Sequence, residues 1–484
     1  MQRSVKRCAC ACAASPERAG IQRPRVPSYS TSSRPAIVPN SSTTTQLDPS
    51  EFTRYDISVL LAEDALKHGQ DGMHSLTVGK RDWVSVFSPQ LAKDVLTNKQ
   101  FDKVTVLDEL KSAYKNGVLV RSFQESIERR KALQPIFSSV NPDVLVKTFS
   151  STALDVCDRI HQSEGQVSLE PMMQGLALDS LSKSLLNYDT RLRFGEMQGA
   201  LEAIDFVVKE ASRRTIVSGA HETNTELETK LDQCKEMVES LLQTAVDATE
   251  AGDGSIVDML TQKNDDPQAM AEDALNLVYN ATHTSGAALS WCLFCLAQKP
   301  DQWLLIREEV DAIVQDVTDL DYNSILKLEQ CRSAIVEALR LFPGPPRIYR
   351  EAVNDATMSN GSVIPQGTGV WVDLQALQRN PDVFHNAEEF DLTRWTNSSS
   401  SSGWSPSASL HPTSQDTGYS YLPFGAGVRG CIGNVFAMLE TTTVLAAIAK
   451  QFRTISFASS PEDMGLEASF AAITNKNGMH VHLQ

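Results

Sequence analysis

Three features of this chain predict a mainly α fold with small peripheral β-sheets. From about Val144 to Gln262 the pattern is helical, with few glycines and many Glu, Lys and Gln residues. Residues 267–299 continue as one long helical run, apolar through much of its length, which marks it as central. Segments that alternate apolar and polar residues are short and stand apart, near 74–87, 350–373 and 470–483.

Taken in order, residues 1–47 are low in large apolar groups and rich in Ser, Thr, Pro and Arg, the composition of a disordered leader. From about Asp48 the chain turns globular. His74-Ser-Leu-Thr-Val and Trp83-Val-Ser-Val-Phe lie on either side of Gly79 and read as a β-hairpin. Pro89 precedes an amphipathic helix over Gln90–Thr97. A helix over about 323–341 stops at Phe342-Pro343-Gly344-Pro345-Pro346, since a residue before proline is pushed out of the helical region. Short strands follow near 350–373, with turns at Asn360-Gly361 and Pro365-Gln366-Gly367. Residues 397–418 are Ser-rich and without periodicity, a surface loop. The last segment, Phe470 to Leu483, reads as a hairpin turning at Asn477-Gly478.

The charge balance narrows the partners. The 484 residues carry a net −16, with 44 Lys and Arg against 60 Asp and Glu. Residues 1–47 hold seven of those bases and one acid, which leaves the body at −22. Such a body has no general affinity for nucleic acid or anionic lipid. Nine cysteines at irregular spacing do not form a disulfide framework, and a reducing compartment fits best. Cys8, Cys10 and Cys12 lack zinc-knuckle spacing, and Cys292 and Cys295 fall inside an apolar helical run where small buried thiols are common. No apolar stretch of about 18 residues, the length of a membrane anchor, stands near the N-terminus. The Arg- and Ser-rich, acid-poor leader resembles a mitochondrial transit peptide. The other readings are a plain disordered leader, or a start that has lost an anchor, with a cytoplasmic or endoplasmic-reticulum-associated protein.

The most informative stretch is Phe424-Gly-Ala-Gly-Val-Arg429-Gly-Cys431-Ile-Gly433. It places one cysteine in a glycine-rich loop, immediately before an apolar, Ala-rich helix from Asn434 to about Lys450. The glycines allow tight turns and close approach of backbone to a flat partner. Backbone amides at the helix start, with Arg429 nearby, are expected to lower the thiol pKa and hold a thiolate. A thiolate so presented can ligate haem iron and push electron density toward O–O cleavage. The stretch resembles the haem-binding loop of cytochrome P450s, Phe-x-x-Gly-x-Arg-x-Cys-x-Gly, and matches it at every fixed position. The resemblance implies haem b with Cys431 as axial ligand, Phe424 and Gly433 against the ring, and the large helical P450 fold over 48–484 with its haem buried.

Other positions extend the resemblance. Glu337-Ala-Leu-Arg340 resembles the family's Glu-x-x-Arg, and Asp391-Leu-Thr-Arg394-Trp395 its Pro-Glu-Arg-Phe-like segment, with the arginine and aromatic kept. Two guanidinium forks around one carboxylate can satisfy it when buried, so Glu337, Arg340 and Arg394 are expected to lock the segment before the cysteine loop. Arg130, Arg350 and Arg429 match family positions that face the haem propionates. Ser126 stands where the family usually has Trp or His, which weakens or replaces one propionate contact. Arg129 and Lys131 are expected to face solvent.

The central helix departs from the family pattern. Aligned on Leu289-Ser290-Trp291, it reads Asn280-Ala-Thr-His283-Thr284-Ser285. Thr284 takes the place of the threonine that orders water for oxygen activation, while His283 replaces the usual acid and Ala281 the usual glycine. Three readings stay open. A histidine titrating near neutrality can shuttle protons and keep the monooxygenase route. The enzyme can instead take a peroxide or rearrange a pre-oxidised substrate, as P450-like isomerases and dehydratases do, some with an Asn in this region. Or His283 is a satisfied core residue, and the protein binds haem without turnover.

On the first reading, the resemblance implies a monooxygenase that hydroxylates or epoxidises a lipophilic small molecule with O2, in secondary metabolism. Electrons would come from a separate P450 reductase or ferredoxin, because no flavin or iron–sulfur segment fits within the chain. Substrate contacts are expected after Phe101, near Val278–His283, at Pro345–Ile348 and at Phe470–Ile473.

Overall fold

The computed structural model describes residues 38–39, 44–47, 117–185, 267–396 and 409–458, most of 61–102 and 465–484, and isolated helical positions between 202 and 236. Strands β1 (Val38–Pro39) and β2 (Thr44–Leu47) open a seven-stranded sheet. They fall inside the segment expected to be disordered. The run Thr44-Thr45-Gln46-Leu47 supplies β-branched residues that pair in parallel with β3. The predicted hairpin follows as β3 (Met73–Val78) and β4 (Arg81–Val86), paired antiparallel with Val78 opposite Arg81. Helix α1 (Pro89–Thr97) is capped by Ser88, whose Oγ accepts from Leu91 N, and β5 (Phe101–Asp102) returns to the sheet edge.

The helical body comprises α2 (Phe123–Ser139), α3 (Pro142–Gln162), β6 (Gln166–Ser168), α4 (Leu169–Leu185), α5 (Pro267–Ala297) and α6 (Pro300–Ile313). The expected helix over 323–341 is two helices, α7 (Tyr322–Lys327) and α8 (Glu329–Leu341). Leu328 breaks the run at φ −78°, ψ 71°. Side chains from elsewhere satisfy both new ends. Glu309 on α6 accepts from Gln330 N (2.7 Å) and Cys331 N (3.1 Å), while Arg332 donates to the carbonyls of Leu326 (2.6 Å) and Leu328 (3.3 Å).

Beyond α8 come β7 (Arg347–Ala352), β8 (Ala356–Thr357), β9 (Val363–Ile364) and β10 (Gly369–Asp373), then α9 (Leu374–Gln378), α10 (Thr393–Thr396) and α11 (Asn434–Gln451). In the main sheet β10 lies between β4 and β7. The four C-terminal strands are β11 (Ile455–Phe457), β12 (Leu466–Ala468), β13 (Ile473–Asn475) and β14 (His480–Leu483). The turn at Asn477-Gly478 forms, with Gly478 at φ 78°, but its flanks do not pair with each other. β13 pairs with β12, and β14 lies between β11 and β6, where Val481 and Leu483 are buried.

Helices α3, α4, α5, α8 and α11 enclose the main core, so the central placement expected of the long apolar helix holds. A second core lies under the main sheet against α1. Of the Ser-rich loop, 397–408 fall outside the described residues. The remainder is not all surface, because Leu410 and His411 are buried and Arg332 donates to Ser409 O (2.7 Å).

Candidate active site at the cysteine loop

The cysteine loop is held at both ends by local geometry. Gly425 and Gly427 take φ of 65° and 69°, and a Cβ at Gly427 would meet Leu96 O of α1 at 2.6 Å. Cys431 N donates to Phe424 O (2.8 Å), which closes the loop just before α11 begins at Asn434. Part of Cys431 is open to solvent. The protein mass around it nonetheless pushes the thiol up, opposed by the Gly433 N–H and by Arg130. The cation acting on the sulfur is therefore Arg130, which also donates to Gly430 O, rather than Arg429 as the loop sequence suggested. Arg429 turns away, to Arg121 O (2.8 Å) and Asp102 Oδ1 (3.4 Å).

A cluster of cations borders the loop. Arg350, buried on β7, donates to Tyr349 O (2.8 Å), and burial together with Arg429 pushes it down to about 10. Burial, and after it Arg130, likewise lowers Arg429. Asp102 is the carboxylate that acts on both Arg350 and Arg429, and the Nε of Arg429 is buried without a partner. Ser126 is buried and bonds only locally, to Phe123 O (3.0 Å). Arg129 does not face solvent. It pairs with the buried Asp273 of α5, whose Oδ1 accepts from Val118 N (2.9 Å). Lys131 is exposed as expected.

Behind the loop, Glu337 and Arg340 have fully buried side chains (0 % each). Arg340 donates twice to Glu337, each at 2.9 Å, and to the carbonyls of Gln378, Ala387 and Glu389. Arg394 Nε (3.2 Å), Trp395 Nε1 (2.8 Å) and Asp391 N (3.1 Å) also donate to the Glu337 carboxylate. Gln378, which sequence reasoning missed, carries the lock to the loop. Its Nε2 donates to Leu339 O and Arg340 O while its Oε1 accepts from Leu422 N (2.8 Å), two residues before Phe424.

On α5 the residues before Thr284 divide into two sets. Tyr279, Thr282 and His283 are buried, whereas Leu277, Val278, Asn280, Ala281 and Thr284 stay half-exposed ahead of the fully buried stretch 285–296. Thr284 Oγ1 donates to Asn280 O (2.6 Å). A cleft of about 360 Å³ beside Cys431 is lined by Arg130, His411, Phe424 and Asn434 among others.

The cytochrome P450 family model matches residues 64–480. The chain belongs to the cytochrome P450 family. It is 27 % identical over 480 residues to cytochrome P450 97B2, chloroplastic, of Glycine max, covering 87 % of this chain and 81 % of that protein. Identity to LUTEIN DEFICIENT 5, chloroplastic, of Arabidopsis thaliana is 25 %, covering 79 % and 67 %. Human cytochrome P450 4X1 is 32 % identical over 42 % of this chain and 36 % of its own length. The fold matches crystal structures of a cytochrome P450 (CYP102L1) and of the cytochrome P450DA haem domain, each at TM-score 0.72, with 21 % and 19 % identity and 97 % and 93 % of those chains covered. This P450 is accordingly a haem-thiolate monooxygenase that uses O2, a lipophilic substrate and a redox partner. Among the described residues no helix is long and apolar enough to cross a membrane.

The residues present fit haem b. Burial lowers all three guanidinium groups; Arg429 further lowers Arg350, and Arg130 further lowers Arg429. Asp102 is the carboxylate acting on Arg350 and Arg429, and Arg429 Nε is buried without a partner, which leaves a site in want of anions. Two propionates on a flat ring supply them.

His283 breaks with expectation. It is 3 % exposed, with Nδ1 3.5 Å from Gln174 Nε2 and 3.9 Å from Asp205, and its ring lies 4.2 Å from that of Tyr279. Burial pushes it from 6.5 down to about 4, against the pull of Asp205, so it is neutral rather than poised near neutrality. It also lies off the half-exposed face where a substrate contact was expected. The unfolded chain takes up a proton near pH 6.5 that the folded one refuses, so stability falls as pH drops from 6.5 toward 4. The loss from this residue is roughly 3 kcal/mol at most. Urea midpoints across that window should therefore fall less steeply for His283→Gln than for the unchanged protein; equal slopes would refute the assignment. Of the other expected substrate contacts, the loop after Phe101 and residues 470–471 lie outside the described residues, whereas Ile348 is half-exposed.

Proposed function

We propose that this P450 hydroxylates or epoxidises a lipophilic small molecule of secondary metabolism, with Cys431 as the thiolate ligand. The observation that carries the reading is the pairing of a partly open cysteine, in a loop that matches the family's pattern, with the buried Arg350 and the buried Arg429 side chain, whose Nε has no partner. Arg130, Arg350 and Arg429 would hold the propionates, and Phe424 and Gly433 would border the ring. Haem, when bound, supplies the oxygen-activating and C–H-oxidising chemistry. Thr284, hydrogen-bonded back to Asn280 O, would position water on the half-exposed face, whose Leu277, Val278 and Ala281 favour an apolar substrate. The Arg- and Ser-rich leader supports a mitochondrial setting with a ferredoxin as donor; a P450 reductase would serve the alternative.

A second reading has its own support. A neutral His283 is a poor acid, and Asn280 adds an amide to the half-exposed face, both of which suit a peroxide-using enzyme or isomerase.

One experiment separates these readings. The dithionite-reduced protein under carbon monoxide should show the strongly red-shifted Soret band of a thiolate adduct. Extracts of lipophilic metabolites are then incubated with reductase, NADPH and O2, or with cumene hydroperoxide alone. Product with the first set supports the monooxygenase, and product only with peroxide supports the second reading. The red-shifted band without product under either regime identifies a haem-binding protein.

A further inference from the structure

A monooxygenase must deliver two protons to reduced oxygen, and at position 283 this chain has a neutral base where an acid is usual. Another acid reaches α5 from a neighbouring helix. Glu440 sits on α11, nine residues after Cys431, and is 1 % exposed. Its carboxyl is hydrogen-bonded to the Ser285 hydroxyl of α5 and lies within reach of Ser180 on α4, while its Oε1 is buried without a partner. Ser285 directly follows Thr284, so their Cα atoms are about 3.8 Å apart.

The setting suits an acid that keeps its proton. Burial pushes Glu440 up to about 8, the two serine hydroxyls pull back, and no charged group enters the balance. The nearest acid along α4, Asp179, is engaged with Lys183 at 2.6 Å. The same three helices carry other buried polar atoms without protein partners, namely the Ser182, Thr282 and Thr442 hydroxyls and His283 Nε2. Buried groups of this kind are ordinarily satisfied by ordered water.

We propose that Glu440 is the internal proton donor of this enzyme, passing protons through Ser285 and buried water to the Thr284 end of the half-exposed face, in place of the acid absent at 283. The inference rests on the monooxygenase reading above. Glu440 acts through Ser285, so it is a relay residue and touches neither substrate nor haem. With substrate the balance is RH + O2 + two electrons + two protons giving ROH + H2O. Without substrate it is O2 + two electrons + two protons giving H2O2. In both, a separate reductase supplies the electrons and Glu440 is reprotonated from solvent through the buried water.

The test uses the full-length holoprotein and needs no known substrate. Infrared spectra at neutral pH should show a protonated-carboxyl C=O band that disappears in Glu440→Gln and shifts in Ser285→Ala. With saturating reductase and NADPH, oxygen consumption should fall at least about tenfold in Glu440→Gln. The solvent isotope effect should rise, with the carbon monoxide band unchanged. Ser285→Ala, which keeps the acid, should show a smaller fall of the same kind. The relay is refuted if no such band exists, or if oxygen consumption and its isotope effect are indifferent to both substitutions. A wild-type holoprotein that has the carbon monoxide band and the carboxyl band but consumes no oxygen refutes the monooxygenase reading, and the relay with it.

Discussion

Replacing Glu337 by Gln is expected to cost the folded state about 3–5 kcal/mol, the range for breaking one partner out of a buried charge cluster. The carboxylate accepts from Arg340, Arg394, Trp395 and the Asp391 amide, and both Glu337 and Arg340 are wholly buried. An amide in its place offers one acceptor oxygen and turns an N–H2 toward two guanidinium groups. Arg340 is then a buried cation without a counter-charge. Because Gln378 ties this cluster to Leu422, misalignment passes to the cysteine loop. The urea midpoint and the fraction of chain recovered with haem should both fall sharply. A shift below about 1 kcal/mol would show that the cluster is not the lock described here.

Cys431→Ser should abolish oxygenation while sparing most of the fold. Serine keeps the small side chain and the Gly433 N–H contact, but an alcohol does not ionise to a strong axial donor as a thiol does. Under carbon monoxide the reduced variant should lose the red-shifted band, and product formation should fall to background. Cys295→Ser is the control. It replaces another thiol, buried on α5, and should cost stability without altering the spectrum. A thiolate band that survives Cys431→Ser would place the ligand elsewhere.

These features differ in how legible the sequence made them. The cysteine loop and the Glu337, Arg340 and Arg394 set could be found because their chemistry is written in short spacings. Helix α5 was legible because apolarity over some thirty residues has one use in a domain of this size. What escaped was set by contacts between distant parts of the chain. Glu309 starting a new helix at Glu329, Asp273 drawing Arg129 inward and holding Val118, and Gln378 joining α8 to the loop leave no local trace. The C-terminal turn was read correctly from Asn477-Gly478, yet its strands went to different neighbours because each has its own buried apolar face. The charge state of His283 was unreadable for the same reason, since burial decides it.

The crowding of Arg130, Arg350 and Arg429 has a consequence for how much of this protein a cell can hold. Without haem their burial, with Arg429 acting on Arg350 and Arg130 on Arg429, burdens the folded chain, and two propionates would relieve it. A ligand that binds only the folded form adds stability in proportion to the logarithm of its excess over Kd, about 4 kcal/mol at a thousandfold. Haem supply would then govern the steady-state amount of this chain as well as its activity. Expression with a haem precursor should raise the yield of intact protein where stronger transcription does not.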